Sequence, residues 1–254
     1  MPFIPASLAR PATALACAAA LASLTACAGG DTNSASAQSS SATRPAAAPS
    51  GAQPNGIERK TAAEVYNLSH AANAEAGSSR QQMSRSDAES DLRVSATECA
   101  GTVSLRDTGS YDLVLKKDEA WVQPDASFAK WMNEATGEEL LTAGTWYHAT
   151  LENRFISSLA SYCHTDQFTS PDTLDDDTTA TKGPVTTLDG RRVVPVTLTG
   201  NGETVTWYAA ATGEPFHVAQ VSSREDMADV TYSDFGTPVK ATAPSGSVQE
   251  APTG

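Results

Sequence analysis

Two blocks of two-residue alternation, separated by a block whose apolar residues recur every three or four positions, constrain this chain more than any other feature. In the first block Leu92, Val94 and Ala96 alternate with Arg93, Ser95 and Thr97, Val103 and Leu105 with Ser104 and Arg106, and Tyr111, Leu113 and Leu115 with Asp112 and Lys116. Ala120-Trp121-Val122 adds one short strand before Pro124. In the last block Val194, Val196 and Leu198 alternate, Gly200-Asn201-Gly202 supplies a tight hairpin, and Val205, Trp207 and Ala209 lead to the turn Thr212-Gly213-Glu214-Pro215. Phe216 and Val218, then Val230 and Tyr232, complete the series. Period two means one buried and one wet face, as in an antiparallel sheet. Between the blocks, Phe128, Trp131, Met132 and Ala135 share one helical face, and Leu151, Phe155, Leu159 and Cys163 repeat every four residues. A helix precedes everything: Thr61-Ala62-Ala63-Glu64 is a capping-box pattern, Val65, Leu68 and Ala72 follow at helical spacing, and Gly77 is a stop. Helix, strands, helices, strands is an α+β order, not a parallel βαβ sheet.

The N-terminus says where such a domain works. An uncharged Ala/Leu-rich run from Ala12 to Leu24 ends in Leu24-Thr25-Ala26-Cys27. It is too short for a membrane span of roughly 20 residues. It suits a signal-peptide core of about 7–15. Leu, two small residues and Cys have the form of a lipobox. Residues 1–26 are therefore expected to be a cleaved lipoprotein signal peptide, with Cys27 as the lipidated N-terminus. Each buried CH₂ contributes about 0.8 kcal/mol, so two or three chains hold a protein on the cell membrane stably. The expected location is the extracytoplasmic face. Residues 27–55, rich in Ser, Ala, Pro and Gly, form a flexible tether, 56–240 the folded domain, and 241–254 a disordered tail. The net charge of -13 becomes -14 once Arg10 leaves with the leader. That balance excludes nucleic-acid binding, which needs clustered Lys and Arg.

Two cysteines remain, Cys99 and Cys163, and an exported chain favours their oxidation. Cys99 has the strand parity of Val103 and Leu105, and Cys163 lies on the stripe of Leu151, Phe155 and Leu159. Both point toward one core, which predicts a disulfide.

The catalytic inventory is negative. Zinc, redox, serine-hydrolase and phosphate-loop motifs are absent, and His70, His148, His164 and His217 are scattered. Asp172 and Asp175-Asp176-Asp177 lack the alternation and central Gly of a calcium loop. No enzyme activity, metal or cofactor is expected. A protein partner in the cell envelope is the alternative to a small ligand.

Three stretches carry a resemblance. They are Ala120-Trp121-Val122 followed by the Phe128/Trp131 helix, Trp207-Tyr208-Ala209-Ala210 followed by Gly213-Glu214-Pro215, and Tyr232-Ser233-Asp234-Phe235-Gly236-Thr237-Pro238-Val239. The pattern is similar to actinobacterial lipoproteins of the LppX/LprG type, which have a LolA-like fold. The resemblance implies a single, strongly curved antiparallel sheet, a half-barrel, covered on its concave side by helices. It also implies binding or carriage of a hydrophobic, lipid-like ligand, since some members hold lipid between sheet and helices. On that basis Phe128, Trp131, Met132, Phe155 and Leu159 are expected to line a mainly apolar pocket facing Val194, Val196, Val205 and Phe216.

Overall fold

The computed structural model describes residues 53–174, 179–200 and 203–253. Cys27 and the leader lie outside the described residues, as do most of the tether and the Asn201-Gly202 link. A 3-10 turn (Ile57–Arg59) precedes helix α1 (Ala62–Ala76). A meander follows: β1 (Ser78–Ser84), β2 (Ala88–Ser95), β3 (Glu98–Leu105), β4 (Gly109–Lys116) and β5 (Glu119–Pro124). Next come α2 (Ala126–Thr136), β6 (Trp146–Thr150), α3 (Arg154–Ala160) and a 3-10 turn (Asp166–Phe168). The rest is strands: β7 (Ala180–Lys182), β8 (Thr186–Leu188), β9 (Arg191–Gly200), β10 (Glu203–Ala210), β11 (His217–Ser222), β12 (Asp229–Ser233) and β13 (Val248–Glu250).

All thirteen strands belong to one open, curved sheet in the order β13-β6-β5-β4-β3-β2-β1-β12-β11-β10-β9-β7, with β8 also on β9. The seam between the two meanders is β1 against β12, with Gln81 opposite Tyr232. The expected α+β class and curved sheet are therefore what is found, with one amendment. The sheet is mixed, because β13 runs parallel to β6.

That strand also corrects the expected disordered tail. The Ala251 amide donates to the His148 carbonyl at 2.9 Å, Asn153 donates to Pro252 at 2.9 Å, and Ala241 and Ala251 are buried. The polar composition misleads there because β13 adds backbone hydrogen bonds, not side-chain burial, to the edge of β6. The domain also begins earlier than Gly56. Pro54 bridges to Thr212, and the Asn55 side chain donates to the Ala210 and Gly213 carbonyls.

Local chemistry explains the elements. Thr61 accepts from the Glu64 amide while Glu64 accepts from the Thr61 amide, the capping box read from the sequence. Asp125 caps α2 by accepting from Phe128 at 2.7 Å and also accepts from the Ser110 amide and hydroxyl, which seats the helix on β4. At Gly101, in β3, φ is +153° and a Cβ would run into the Asp91 carbonyl oxygen of β2. Only glycine allows the two strands to come that close.

One face of the sheet carries both helix layers, and they cover different halves. Over β2 to β6, α2 and α3 close a core that includes Leu92, Val103, Tyr111, Leu113, Phe128, Ile156 and Leu159. Over β9 and β10, α1 packs Val65 and Tyr66 against Val194, Val196 and Ala209. On the opposite face, Val193, Ala210 and Val218 are covered by Phe216 and Phe235, whose rings stack at 4.0 Å. Cys99 and Cys163 are bonded, with Cα atoms 5.9 Å apart, as parity predicted. The bond fastens the segment after α3 to β3.

Candidate functional site

Where α1 ends its coverage and α3 begins its own, the middle of the sheet is left with a cavity of about 300 Å³. Its floor follows from strand register. Ser90 of β2 lies opposite Met83 of β1, Met83 opposite Val230 of β12, Val230 opposite Gln220 of β11, and Gln220 opposite Trp207 of β10. These five side chains form one row across five strands, and all line the cavity. The neighbouring row adds Gln81 opposite Tyr232. His70 and Asn73 of α1 make one wall, Tyr162, His164, Asp166, Gln167, Ser170 and Asp172 after α3 make another, and Met227 and Ala228 border it at the β11–β12 turn.

Paired amides hold the walls in place. Asn73 donates to the His217 carbonyl and accepts from the His217 amide, both at 3.0 Å, which ties α1 to β11. Asn67 does the same with the backbone of Leu174, at 2.9 and 2.7 Å, which ties the loop carrying Asp172 to α1.

Aromatic and imidazole rings stack between these walls. Tyr66 lies on His70 at 4.1 Å and His70 on His217 at 4.6 Å, while Tyr232 tilts against His217 at 4.8 Å and Trp207 meets Tyr66 edge-on at 5.3 Å. Burial pushes His70 down to about 4, against an opposing pull from Asp172. Burial, then the neighbouring His70, pushes His217 down to about 3. Both imidazoles are therefore neutral at physiological pH. Burial likewise raises Tyr66 and Tyr232, with Asp172 adding to each. His217 is spoken for, since its Nε2 donates to the Ala219 carbonyl at 2.9 Å. His70 and Gln81 are different. The Nε2 of each is buried without a hydrogen-bond partner among the described residues, and Gln81 is only 3% exposed. A buried polar group left so costs about 1–3 kcal/mol.

This cavity is not where the sequence placed the pocket. Phe128, Trp131, Met132, Phe155 and Leu159 do not line this cavity. Phe128 and Leu159 are buried in the first core, Met132 and Phe155 pack half-buried against it, and Trp131 is 44% exposed at the surface. Tyr111 fills the space beneath, with its ring 5.2 Å from Phe128 and its hydroxyl donating to the Leu159 carbonyl at 3.0 Å. The two central helices thus pack dry on their own half of the sheet, and Val194 and Val196 face α1 instead. The cavity also differs in kind, because polar side chains line it as much as apolar ones.

His70, Gln81, His217 and Tyr232 were missed as a site because each is isolated in sequence. One signal was present. Asn67, His70 and Asn73 recur every three residues on α1, a polar stripe beside Tyr66 on the helix's inner side.

Among the described residues, no group of three or more His, Cys, Asp or Glu is placed to hold a metal, and no helix is long and apolar enough to cross a membrane.

No protein-family description matches the chain, and no curated protein matches it. Among solved structures, that of LppX, a Mycobacterium tuberculosis lipoprotein, has a TM-score of 0.48 and 14% identity over 71% of this chain and 98% of its own. LprF from Mycobacterium bovis has a TM-score of 0.50 and 12% identity over 77% of this chain and all of its own. At that identity the likeness is one of architecture, and the chain carries the curved-sheet α+β fold of LprF.

Proposed function

We propose that this chain is an exported protein, held at the extracytoplasmic face of the cell membrane through lipid on Cys27, that binds a hydrophobic, lipid-like molecule without acting on it chemically. The observation that carries the reading is the cavity between α1 and the sheet, walled by Trp207, Tyr232, Tyr162, Met83 and Met227. Its volume is at the lower end of small-molecule sites, roughly 300–1,000 Å³, so it suits one short apolar tail with a polar group. The lipobox and the fold of LprF support the same reading. A binding role fits the histidines better than a catalytic one. His217 is hydrogen-bonded to backbone, and no Ser or Cys nucleophile shares a hydrogen bond with either ring among the described residues.

The test is native mass spectrometry of the chain carrying Cys27→Ser, purified without detergent. The expected result is co-purified or added lipid at one copy per chain. The parent chain, but not Cys27→Ser, should incorporate radiolabelled palmitate. A protein that takes up no lipid, yet is recovered with an envelope protein, would replace this reading by a protein-contact module.

A further inference from the structure

The binding reading says little about the ligand's polar end, and the cavity says more. Gln81 sits in the floor, at the seam of the two meanders, with a carboxamide Nε2 that has no hydrogen-bond partner among the described residues. His70 lines the same cavity from α1, held there by stacking between Tyr66 and His217, with its Nε2 also unpartnered. Charge limits what these groups can serve. Among the described residues no Lys or Arg lines the cavity, whereas Asp166 and Asp172 do. A phosphate or carboxylate placed there would lose its water and gain no cation, beside two carboxylates of its own sign. An amide and a neutral imidazole each offer both a donor and an acceptor. They match an ester carbonyl or a hydroxyl.

Resting on the binding function proposed above, we infer that Gln81 and His70 form a polar subsite that seats the uncharged oxygen functions of an amphiphile, so that the cavity takes a monoacylglycerol-like molecule and rejects an anionic lipid of the same tail. Tail burial against Met83, Trp207 and Val230 supplies affinity, and the subsite sets orientation. The limited volume fits this class, since one medium-length chain and a glycerol-sized head fill it.

The chain carrying Cys27→Ser is equilibrated with three radiolabelled probes of equal tail length: monodecanoylglycerol, decyl phosphate and decane. Monodecanoylglycerol should bind at least about tenfold more tightly than decyl phosphate, the scale of discrimination one or two buried hydrogen bonds provide. In Gln81→Leu, and separately in His70→Phe, the preference for monodecanoylglycerol over decane should fall about tenfold by the same reasoning. Two variants on different elements keep the test decisive if one fails to fold. Decyl phosphate binding as well as the glyceride, or an unchanged glyceride-to-decane ratio in both variants, overturns the subsite while leaving the binding function intact. Failure of the parent chain to take up any of the three overturns both.

Discussion

His70 and His217 are two stacked histidines whose titration burial depresses, and pH can reveal the consequence. An unfolded histidine titrates near about 6.5. Folding lowers His70 to about 4 and His217 to about 3, mainly by burial. A group whose folded pKa is depressed stabilises the fold fully above its unfolded pKa, and that stability is lost as pH falls toward the folded value. Stability should therefore decline from pH 6.5 downward, before the carboxylates Asp87, Asp91 and Asp226, held below their usual range by hydrogen bonds from arginines, begin to titrate. Urea midpoints between pH 7 and 5 measure the slope, and His70→Phe should about halve it, because one of two excluded protons is no longer at stake. The same residues show what the sequence could and could not reveal at this scale. Cys99 and Cys163 were legible because each sat on an apolar repeat whose inner face was fixed. His70, Gln81 and His217 were not, because a lone polar residue carries no periodic signal, and only strand register together with the docking of α1 brings them to one cavity.

At the scale of elements, legibility followed apolar spacing. The β2–β5 meander, α2 and the β9–β12 strands stand close to where alternation put them, and the capping box of α1 is present as read. β1 was unreadable for a physical reason. Its inward residues are Ser79, Gln81 and Met83, so the strand at the centre of the sheet lacks the apolar alternation that marks a core strand. Local rules tend to fail at sites that bind something, and β1 forms the cavity floor. The amphipathic stripes of α2 and α3 correctly announced buried faces, but a stripe does not say whether it meets packed side chains or a cavity. The disulfide is the strongest tie between these elements. With a sequence separation of 64 it should contribute about 4 kcal/mol in the chain-entropy model. Unfolding in urea with and without reductant should show a loss of that order, and Cys99→Ala with Cys163→Ala should reproduce it. An unchanged midpoint would mean that the core over β3 holds the segment after α3 unaided.

Across the whole molecule, one sheet carries two helix-covered cores on one face and a smaller apolar cluster on the other, and its two ends are finished differently. At one end the short β7 and β8 cap β9. At the other, three exposed residues of β13 occupy the edge of β6, a short, charged strand of the kind that discourages further pairing. Deleting residues 247–253 should expose to hydrogen exchange the β6 amides that face β13, leave those bonded to β5 protected, and promote association between copies, while exchange in β1 and β12 stays as before. Light scattering and exchange mass spectrometry read the two outcomes. The placement of that strand also defines how the domain would bear load. The described chain enters beside Thr212, at the β10–β11 turn, and leaves along β6, far across the strand order. A pull between these two points would pass from strand to strand, through the three paired positions of β13 on β6 and the two of β12 on β11. Those two short pairings would yield before the seam beneath the cavity, where β1 and β12 share five paired positions, so the cavity floor sits behind mechanical fuses.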